Sequence, residues 1–435
     1  MIIQFIGDAI VWIIMICAVL GCIAAIRDEN SGMGLEFMTA FHNMGTIFIP
    51  MAGMMASIPF IAKFVQIIFG ALYSAIGADI AMAPGMFIAI DLGGYQLVNA
   101  IAGSNEGWMM GMFVTYMFGP IVSFTIPVAF SLLDKRDHKF LALGIMAGLL
   151  SIPFGVCISS VLMKITNVKI RGEIATDGPS TTELNWTFSE IFLNLIPLIV
   201  FCILLALVLR FLTDPSVKVF LVFGDFLNAF VKIVLTLSIV EYFTGVFTKV
   251  FGSWGFDPII ADGVDNMRAL ENAGYICVML AGAFPMVYLI QKYCEAPLKA
   301  LGKKIGLSSL GSIATIGGMA NLLAMFKLFP KMPPVDKVRV MAYCVCCAWI
   351  LGDHIAFSAN FQPTVLIPLL VGKFCGGIIA MTIAHFIAVP AARRYWKQDI
   401  ENGIIGPDEY QAEDQLLPNE KNRVYEEKKA EKKAV

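Results

Sequence analysis

The sequence predicts an all-α fold, a polytopic bundle of transmembrane helices. Of its 435 residues, 58% are hydrophobic and 15% are charged, whereas a soluble globular chain is typically about 25% charged. A water-soluble core of this length could not bury so many apolar residues. Crossing a bilayer takes about 20 mostly apolar residues, and the chain has several such runs. They are 2–26, 45–62, 108–133, 138–163, 187–211, 217–251, 274–294, 337–358 and 364–388.

Composition also limits the classes of partner. The net charge is −2 and no basic cluster suggests nucleic-acid binding, so no nucleic-acid partner is expected. Most of the ten cysteines lie inside apolar runs without zinc-like spacing, so neither a metal site nor a cofactor is predicted. The run 2–26 lacks a basic n-region and a small-residue cleavage site, which indicates a first transmembrane helix rather than a signal peptide.

Basic residues orient these runs, because cytoplasmic loops carry an excess of Lys and Arg. Loops that are poor in Lys and Arg are predicted outside, together with the N-terminus, and the C-terminus is predicted in the cytoplasm. The residues that mark the cytoplasmic face are Lys135, Arg136, Lys139, Arg210, Lys218, Arg393, Arg394 and Lys397.

Two further apolar stretches, 80–101 and 309–327, are interrupted by glycine pairs. Both flanks of 309–327 are basic, which a simple spanning helix would not allow. A re-entrant hairpin that enters and leaves on the cytoplasmic face removes the conflict, with its turn predicted at Ile316-Gly317-Gly318. The stretch 80–101 is the predicted counterpart that enters from outside. The alternative is eleven simple spanning helices.

A weak internal repeat supports the hairpins. The matches occur in one order at similar offsets, which predicts inverted repeats of the kind found in transporters. The predicted organisation is a first transmembrane repeat (1–163), a polar loop and linker helix (164–216), a second repeat (217–401) and a charged, disordered cytoplasmic tail (402–435). The matched pairs are Gly7-Asp8 with Gly224-Asp225, Asn43 with Asn272, Gly53 with Gly282, Gly93-Gly94 with Gly317-Gly318, Gly119 with Gly352, and Gly144 and Gly148 with Gly372 and Gly376.

Carboxylates inside apolar runs need a reason, because a charge at the bilayer centre costs about 2.5–3.5 kcal/mol. Asp91 lies at the predicted tip of the first hairpin, where it is either a substrate or ion ligand or a structural cap. Asp353 and His354 are neighbours and face one cavity only if the helix unwinds locally. His354 is either a pathway residue or a satisfied core histidine. Glu241 is interpreted as structural or interfacial.

Polar side chains near these carboxylates suit a small amphipathic solute. A carboxylate neutralises an ammonium group, amides and hydroxyls bind an alcohol, and aromatic faces hold a cation. The predicted substrate-binding residues are Asp91, Tyr95, Gln96, Ser123, Thr125, Asn321, Asp353, His354, Ser358 and Asn360.

Several stretches together resemble the EutH family of bacterial ethanolamine permeases, over residues 2–390. The stretches are Asp91-Leu92-Gly93-Gly94, Gly119-Pro120 through Ala129, Leu141-Ala142-Leu143-Gly144 through Pro153, Gly282-Ala283 with Pro285-Met286-Val287, Leu351-Gly352-Asp353-His354 and Val371-Gly372-Lys373. The resemblance implies uptake of ethanolamine across the bacterial cytoplasmic membrane for its catabolism. It assigns no binding residues, and the long polar loop 164–186 departs from it.

Other interpretations stay open at this stage. No HExxH, P-loop, GxSxG or haem-type motif is present, so an enzyme is not expected. The alternatives are a membrane-embedded enzyme acting on an ethanolamine-containing lipid, a proton-coupled transporter of another small amine, and a sensor or scaffold that works through its tail. Transport itself is either facilitated diffusion or alternating access. Expected partners are ethanolamine and membrane lipids, with a homo-oligomer left open.

Overall fold

A computed structural model describes residues 2–404, except for the side chains of residues 2–5, 295, 298, 299, 301 and 303. The regular secondary structure of the described part is helical, with one isolated antiparallel bridge between Ile170 and Thr182 and long non-helical loops at 167–187 and 252–268. The predicted tail, 402–435, falls almost wholly outside the described residues.

Twenty α-helices make up the described chain. They are α1 (Ile2–Arg27), α2 (Gly32–His42), α3 (Met44–Ala56), α4 (Ile58–Ile76), α5 (Met82–Gly85), α6 (Gly94–Ile101), α7 (Asn105–Met117), α8 (Ile126–Leu132), α9 (Lys135–Leu149), α10 (Ile152–Thr166), α11 (Phe188–Phe211), α12 (Thr213–Thr244), α13 (Val246–Phe251), α14 (Ala269–Lys304), α15 (Ser309–Ala320), α16 (Leu322–Leu328), α17 (Pro334–Cys347), α18 (Asp353–Phe361), α19 (Leu366–Ile387) and α20 (Val389–Glu401). Single turns of 3₁₀-helix occur at Ile90–Leu92, Phe329–Lys331 and Pro363–Val365, and a π-helical turn occurs at Ile121–Thr125.

Eight helical stretches in the described part are long and apolar enough to cross a membrane. They are Ile6–Arg27, Ile58–Ile76, Asn105–Leu132, Lys135–Thr166, Phe188–Phe211, Thr213–Thr244, Ala269–Cys294 and Pro363–Ile387. Large apolar side chains on their outer faces are exposed, such as Trp12 on α1 and Phe243 on α12. A protein in water rarely exposes so continuous an apolar surface, whereas in a bilayer the acyl chains of lipids cover it. The chain is a polytopic helical membrane protein.

Two predicted spans are wrong. The run 45–62 straddles a break at Ser57, and the long apolar helix begins after the break, at Ile58. Pro59 lies in the first turn of that helix, the position where a missing N–H does no harm. The run 337–358 is two shorter helices, because α17 ends at Cys347.

The first hairpin comprises α5, the 3₁₀ turn Ile90–Leu92 and α6. Gly93 follows the turn at φ +86°, in the left-handed region that glycine enters without strain. The two ends of the hairpin meet at Asp79, whose carboxylate accepts a hydrogen bond of 3.0 Å from the Gly103 N–H. The segment therefore enters and leaves at the same end of the bundle.

The second hairpin comprises α15 and α16. Its ends also meet at a carboxylate, since the Ser308 N–H donates to Asp336 over 2.9 Å. The prediction that the chain turns at Gly317-Gly318 is wrong: α15 continues through both glycines, and the reversal comes at Asn321. The glycine at 318 serves close packing instead, because an added Cβ would lie 2.4 Å from Cys344 Sγ.

Each hairpin is followed by an interrupted helix. The first consists of α7, the π-helical turn and α8. The second consists of α17, an unwound segment from Ala348 to Gly352, and α18. Backbone N–H groups of the unwound segment are satisfied by the second hairpin: Trp349 donates to Gly318 O over 3.3 Å, and Leu351 to Met319 O over 3.0 Å. Irregular backbone is thus covered by protein at this depth.

Glycines that the repeat aligns make matching contacts in the two halves. An added Cβ would lie 2.2 Å from Val231 O at Gly53 and 2.2 Å from Ile14 O at Gly282. Helix α12 therefore packs on α3 as α1 packs on α14. The organisation into repeats stays a prediction.

A second pair of aligned glycines packs each interrupted helix on its own hairpin. A Cβ at Gly119 would lie 2.3 Å from Ile88 O, and one at Gly352 would lie 2.7 Å from Ala320 O. Both contacts hold the interrupted backbone close to a hairpin turn, which brings the two pairs of broken elements together at one site.

Candidate functional site

A cavity of about 540 Å³ lies where the hairpin turns and interrupted helices face α3 and α12. Its lining combines carboxylates, amides, hydroxyls, an imidazole and an aromatic wall. The lining residues are Asn43, Thr46, Ile47, Pro50, Met54, Ala89, Asp91, Leu92, Pro120, Ser123, Phe124, Gly224, Leu227, Asn228, Val231, Asn321, Leu323, Trp349, Asp353 and His354.

Two carboxylates line this cavity from different halves of the chain. Asp91 sits in the 3₁₀ turn of the first hairpin, and Asp353 is the first residue of α18, directly after the unwound segment. Both side chains are half-buried. Two like charges facing one enclosed space create a negative potential that attracts a cation.

Aromatic rings stand beside the carboxylates. The Phe124 and Trp349 rings meet edge to face with centroids 5.4 Å apart. Trp349 has φ +55°, an uncommon backbone conformation for a bulky residue that the contacts with the second hairpin hold in place. Aromatic faces near carboxylates suit an ammonium group, which the ring quadrupole attracts.

The remaining predicted residues of the cavity wall are polar but neutral. Asn321 caps α16, its Oδ1 accepting a 2.9 Å hydrogen bond from the Leu323 N–H, which leaves its amide NH₂ available. The Ser123 hydroxyl donates to Gly119 O over 2.7 Å, which leaves its lone pairs available as acceptors. Within the described residues, His354 Nδ1 has no hydrogen-bond partner.

The other five predicted site residues lie outside the cavity wall. Tyr95 is fully buried among aromatic rings, and its hydroxyl accepts from Gln362 Nε2 over 3.0 Å. The Ser358 hydroxyl lies 2.6 Å from the Tyr116 hydroxyl. The side chains of the other three, Gln96, Thr125 and Asn360, are also buried.

Buried polar atoms without partners mark this interior. In the described part of the chain both amide atoms of Gln96, Thr125 Oγ1 and Asn360 Nδ2 make no hydrogen bond. Each such atom costs about 1–3 kcal/mol when nothing pairs with it. Water or a polar solute is therefore favoured at these positions.

Sequence reasoning missed the opposite wall of the cavity. Asn43 and Thr46 at the start of α3, and Asn228 on α12, line it. Asn43 belongs to a predicted repeat match and Thr46 follows Gly45, but neutral side chains such as these give no local indication of a binding role. Asn228 inside the apolar run 217–251 was the one available signal.

The polar loop between α10 and α11 packs on the end of α18 and on the non-helical residue that follows it, Gln362. The Gln362 side chain pairs with the backbone of Arg171, accepting from its N–H over 3.0 Å and donating to its C=O over 2.9 Å. The Arg171 guanidinium donates to Asn360 O over 2.7 Å. Partial burial lowers the pKa of Arg171 from its ordinary value, though a guanidinium remains charged at neutral pH.

No group of three or more His, Cys, Asp or Glu side chains within residues 2–404 is arranged to hold a metal ion. The groups that the cavity wall itself offers are charged, hydrogen-bonding and aromatic side chains.

Comparison with known proteins identifies the family. The family described as "Ethanolamine utilisation protein, EutH" matches residues 6–387. A protein of Escherichia coli (strain K12) named "Probable ethanolamine permease EutH" is 32% identical over 366 residues, covering 82% of this chain and 86% of its own. Its namesake in Listeria monocytogenes is 30% identical over 384 residues, covering 88% and 94%. The uncharacterised protein YxeR of Bacillus subtilis is 28% identical over 395 residues, covering 90% and 98%.

No solved structure matches this chain. The match to the family covers both interrupted helices and both hairpins, and so includes every residue of the cavity wall. The chain belongs to the EutH family of ethanolamine utilisation proteins.

Proposed function

We propose that this protein is a permease that takes up ethanolamine, as ethanolammonium, across the bacterial cytoplasmic membrane for catabolism. The observation that carries the proposal is the cavity that Asp91 and Asp353, from opposite halves of the chain, both line together with the aromatic residues Phe124 and Trp349. The identity of the substrate is inferred from relatives that are named as probable ethanolamine permeases.

The two ends of ethanolammonium match two parts of the cavity. The ammonium group is placed between the carboxylates of Asp91 and Asp353 and the face of Trp349, where charge-assisted hydrogen bonds and cation–π attraction act together. The hydroxyl is placed near the amides of Asn321 and Asn228. Such a division gives selectivity, because an amine without the hydroxyl leaves those amides unpaired.

The remaining predicted site residues take a supporting role in this proposal. Tyr95 and Ser358 are tied to neighbouring side chains, and they hold α6 and α18 in position. Gln96, Thr125 and Asn360 have unpaired polar atoms that water or substrate would pair with during passage. The path therefore extends from the cavity into the interrupted helices.

Access from alternate sides follows from the division of the cavity. One wall consists of hairpin turns and interrupted helices, and the other consists of α3 and α12. Movement of one wall against the other would open the site to each side in turn, as in transporters built from inverted repeats. The proposed repeats are residues 1–163 and 217–401, with the N-terminus outside and the C-terminus in the cytoplasm.

Uptake of labelled ethanolamine into proteoliposomes that contain the purified full chain tests the proposal. We expect saturable uptake above that of empty vesicles, with inhibition by excess unlabelled ethanolamine. Uptake no faster than in empty vesicles would contradict it. Release of ethanolamine from phosphatidylethanolamine by the same preparation would instead favour a lipid-cleaving enzyme.

A further inference from the structure

A second cavity, of about 650 Å³, lies on the outer wall of the bundle between α15, α17 and α19. It shares no lining residue with the first cavity. Its walls are mainly apolar, formed by side chains such as Ile316, Met319, Tyr343, Phe374 and Ile378. Phe374 is 43% exposed and Ile378 is 48% exposed, so this groove is open along its side to the surrounding lipid.

The groove follows α19. Its α19 wall reaches from Phe374 to His385, about 16 Å at a helical rise of about 1.5 Å per residue. Near Phe374 the wall is packed: the Tyr343 hydroxyl contacts Met319 Sδ at 3.5 Å, and the ring centroids of Tyr343 and Phe374 lie 6.4 Å apart. An apolar wall of this length fits an extended hydrocarbon chain.

The other end of the groove is basic. Arg339 donates from Nη1 to Gly306 O over 3.0 Å and from Nη2 to His385 Nδ1 over 2.7 Å. A His385 ring that accepts at Nδ1 carries its proton on Nε2, which is then a further donor. A guanidinium and an imidazole N–H side by side form a binding place for a phosphate group.

We propose that this groove binds an anionic phospholipid, with one acyl chain between α15 and α19 and the phosphate at Arg339 and His385. An empty apolar groove would lose the dispersion contacts of its walls, and an acyl chain restores them. The distribution of Lys and Arg assigns the basic end of the groove to the cytoplasmic face. Anionic lipids of the cytoplasmic leaflet attract basic residues there.

The bound lipid would act on the second hairpin. One wall of the groove is α15, the first arm of that hairpin, and another is α19, which packs on α10 and α17. An acyl chain between them holds the arm against the rest of the bundle. Charge and apolar shape are both required, so each has its own variant in the test.

Native mass spectrometry of the full-length protein, equilibrated with phosphatidylglycerol or phosphatidylcholine in one detergent, measures the retained lipid. We expect Arg339→Gln to lower phosphatidylglycerol affinity about fivefold, the effect of removing one basic residue near an anionic headgroup. Arg394→Gln is the matched control, because Arg394 is exposed on α20 outside the groove. Phosphatidylcholine should bind weakly to all three proteins.

A second variant tests the apolar part independently. Ile378→Trp fills the groove and should also reduce phosphatidylglycerol binding, whereas Ile203→Trp, on the exposed face of α11, should not. Equal binding of phosphatidylglycerol by Arg339→Gln and Arg394→Gln would overturn the proposal. So would equal binding of the two lipids by the wild-type protein, or unchanged binding by Ile378→Trp.

Discussion

The two hairpins share an outline but differ in the chemistry of their turns. The first turns at Asp91 and Gly93 and presents a carboxylate to the cavity. The second turns at Asn321 and presents a neutral amide, whose Oδ1 caps the following helix. The difference teaches that two hairpins of similar outline can both reach one cavity, while the residue at each turn decides whether the turn offers charge or hydrogen bonding.

The bases of the hairpins differ in a second way. Asp79 precedes the first hairpin and accepts from Gly103 beyond it, whereas Asp336 follows the second hairpin and accepts from Ser308 before it. Both hairpin bases are therefore closed by a hydrogen bond to a carboxylate. The acceptor precedes the donor in the first hairpin and follows it in the second. The carboxylates at the bases join the ends of the hairpins, whereas we propose that the carboxylate at the first turn binds the solute.

The largest effect is expected from removing the charge at the first turn. Asp91→Asn should lower the initial rate of ethanolamine uptake about a hundredfold, because a charge-assisted hydrogen bond to the ammonium contributes ~1.5–3 kcal/mol. Rates in proteoliposomes, normalised to reconstituted protein, measure it.

Glu241→Gln is the matched control for this loss. Glu241 accepts from the Phe247 N–H over 2.8 Å at the bend between α12 and α13, and it does not line the cavity. Its variant should transport at nearly the normal rate. Near-normal uptake by both variants would remove Asp91 from the binding site.

The hairpin bases should differ in stability. Asp336 is fully buried and Asp79 is only half-buried, so Asp336→Asn should reduce stability by ~2–3 kcal/mol and Asp79→Asn by ~1 kcal/mol. Thermal unfolding of both purified variants in the same detergent measures the difference. A lower melting temperature for Asp79→Asn than for Asp336→Asn would contradict the assignment of the tighter tie to the second hairpin.

The smallest of these effects concerns selectivity at the second turn. Asn321→Ala should lower the preference for ethanolamine over ethylamine about fivefold, because the hydroxyl loses an amide partner worth ~1 kcal/mol. Competition between the two amines for uptake gives this ratio. Loss of folded protein changes both rates equally, so an unchanged ratio would place the hydroxyl elsewhere.

Much of the site was predictable because charge and glycine are strong signals in an apolar sequence. Asp91 and Asp353 stand out against hydrocarbon, and both line the cavity. The glycines at 119 and 352 were aligned by the predicted repeat, and in the structure each packs an interrupted helix closely on a hairpin. The importance of such residues can be recognised from their immediate sequence neighbours.

The remainder depended on tertiary structure. Glycine permits a turn without requiring one, and the second hairpin turns at Asn321 instead of at its glycine pair. The backbone N–H groups of the unwound segment after α17 donate to carbonyls just before that turn. Asn43 and Asn228 reach the cavity only because α3 and α12 pack together. Tyr95 was predicted in the site from its chain neighbours, but its ring is buried among Trp108 and Phe361.

Uptake driven by an imposed membrane potential tests the central claim most directly, that a negatively charged cavity carries the solute as a cation. A potential of 100 mV, negative inside, contributes ≈2.3 kcal/mol per elementary charge, which corresponds to about fiftyfold accumulation of ethanolammonium by facilitated uptake. We expect wild-type proteoliposomes to approach that ratio and Asp91→Asn vesicles to remain near the level of empty ones. Accumulation that does not change when the potential is collapsed would contradict the account.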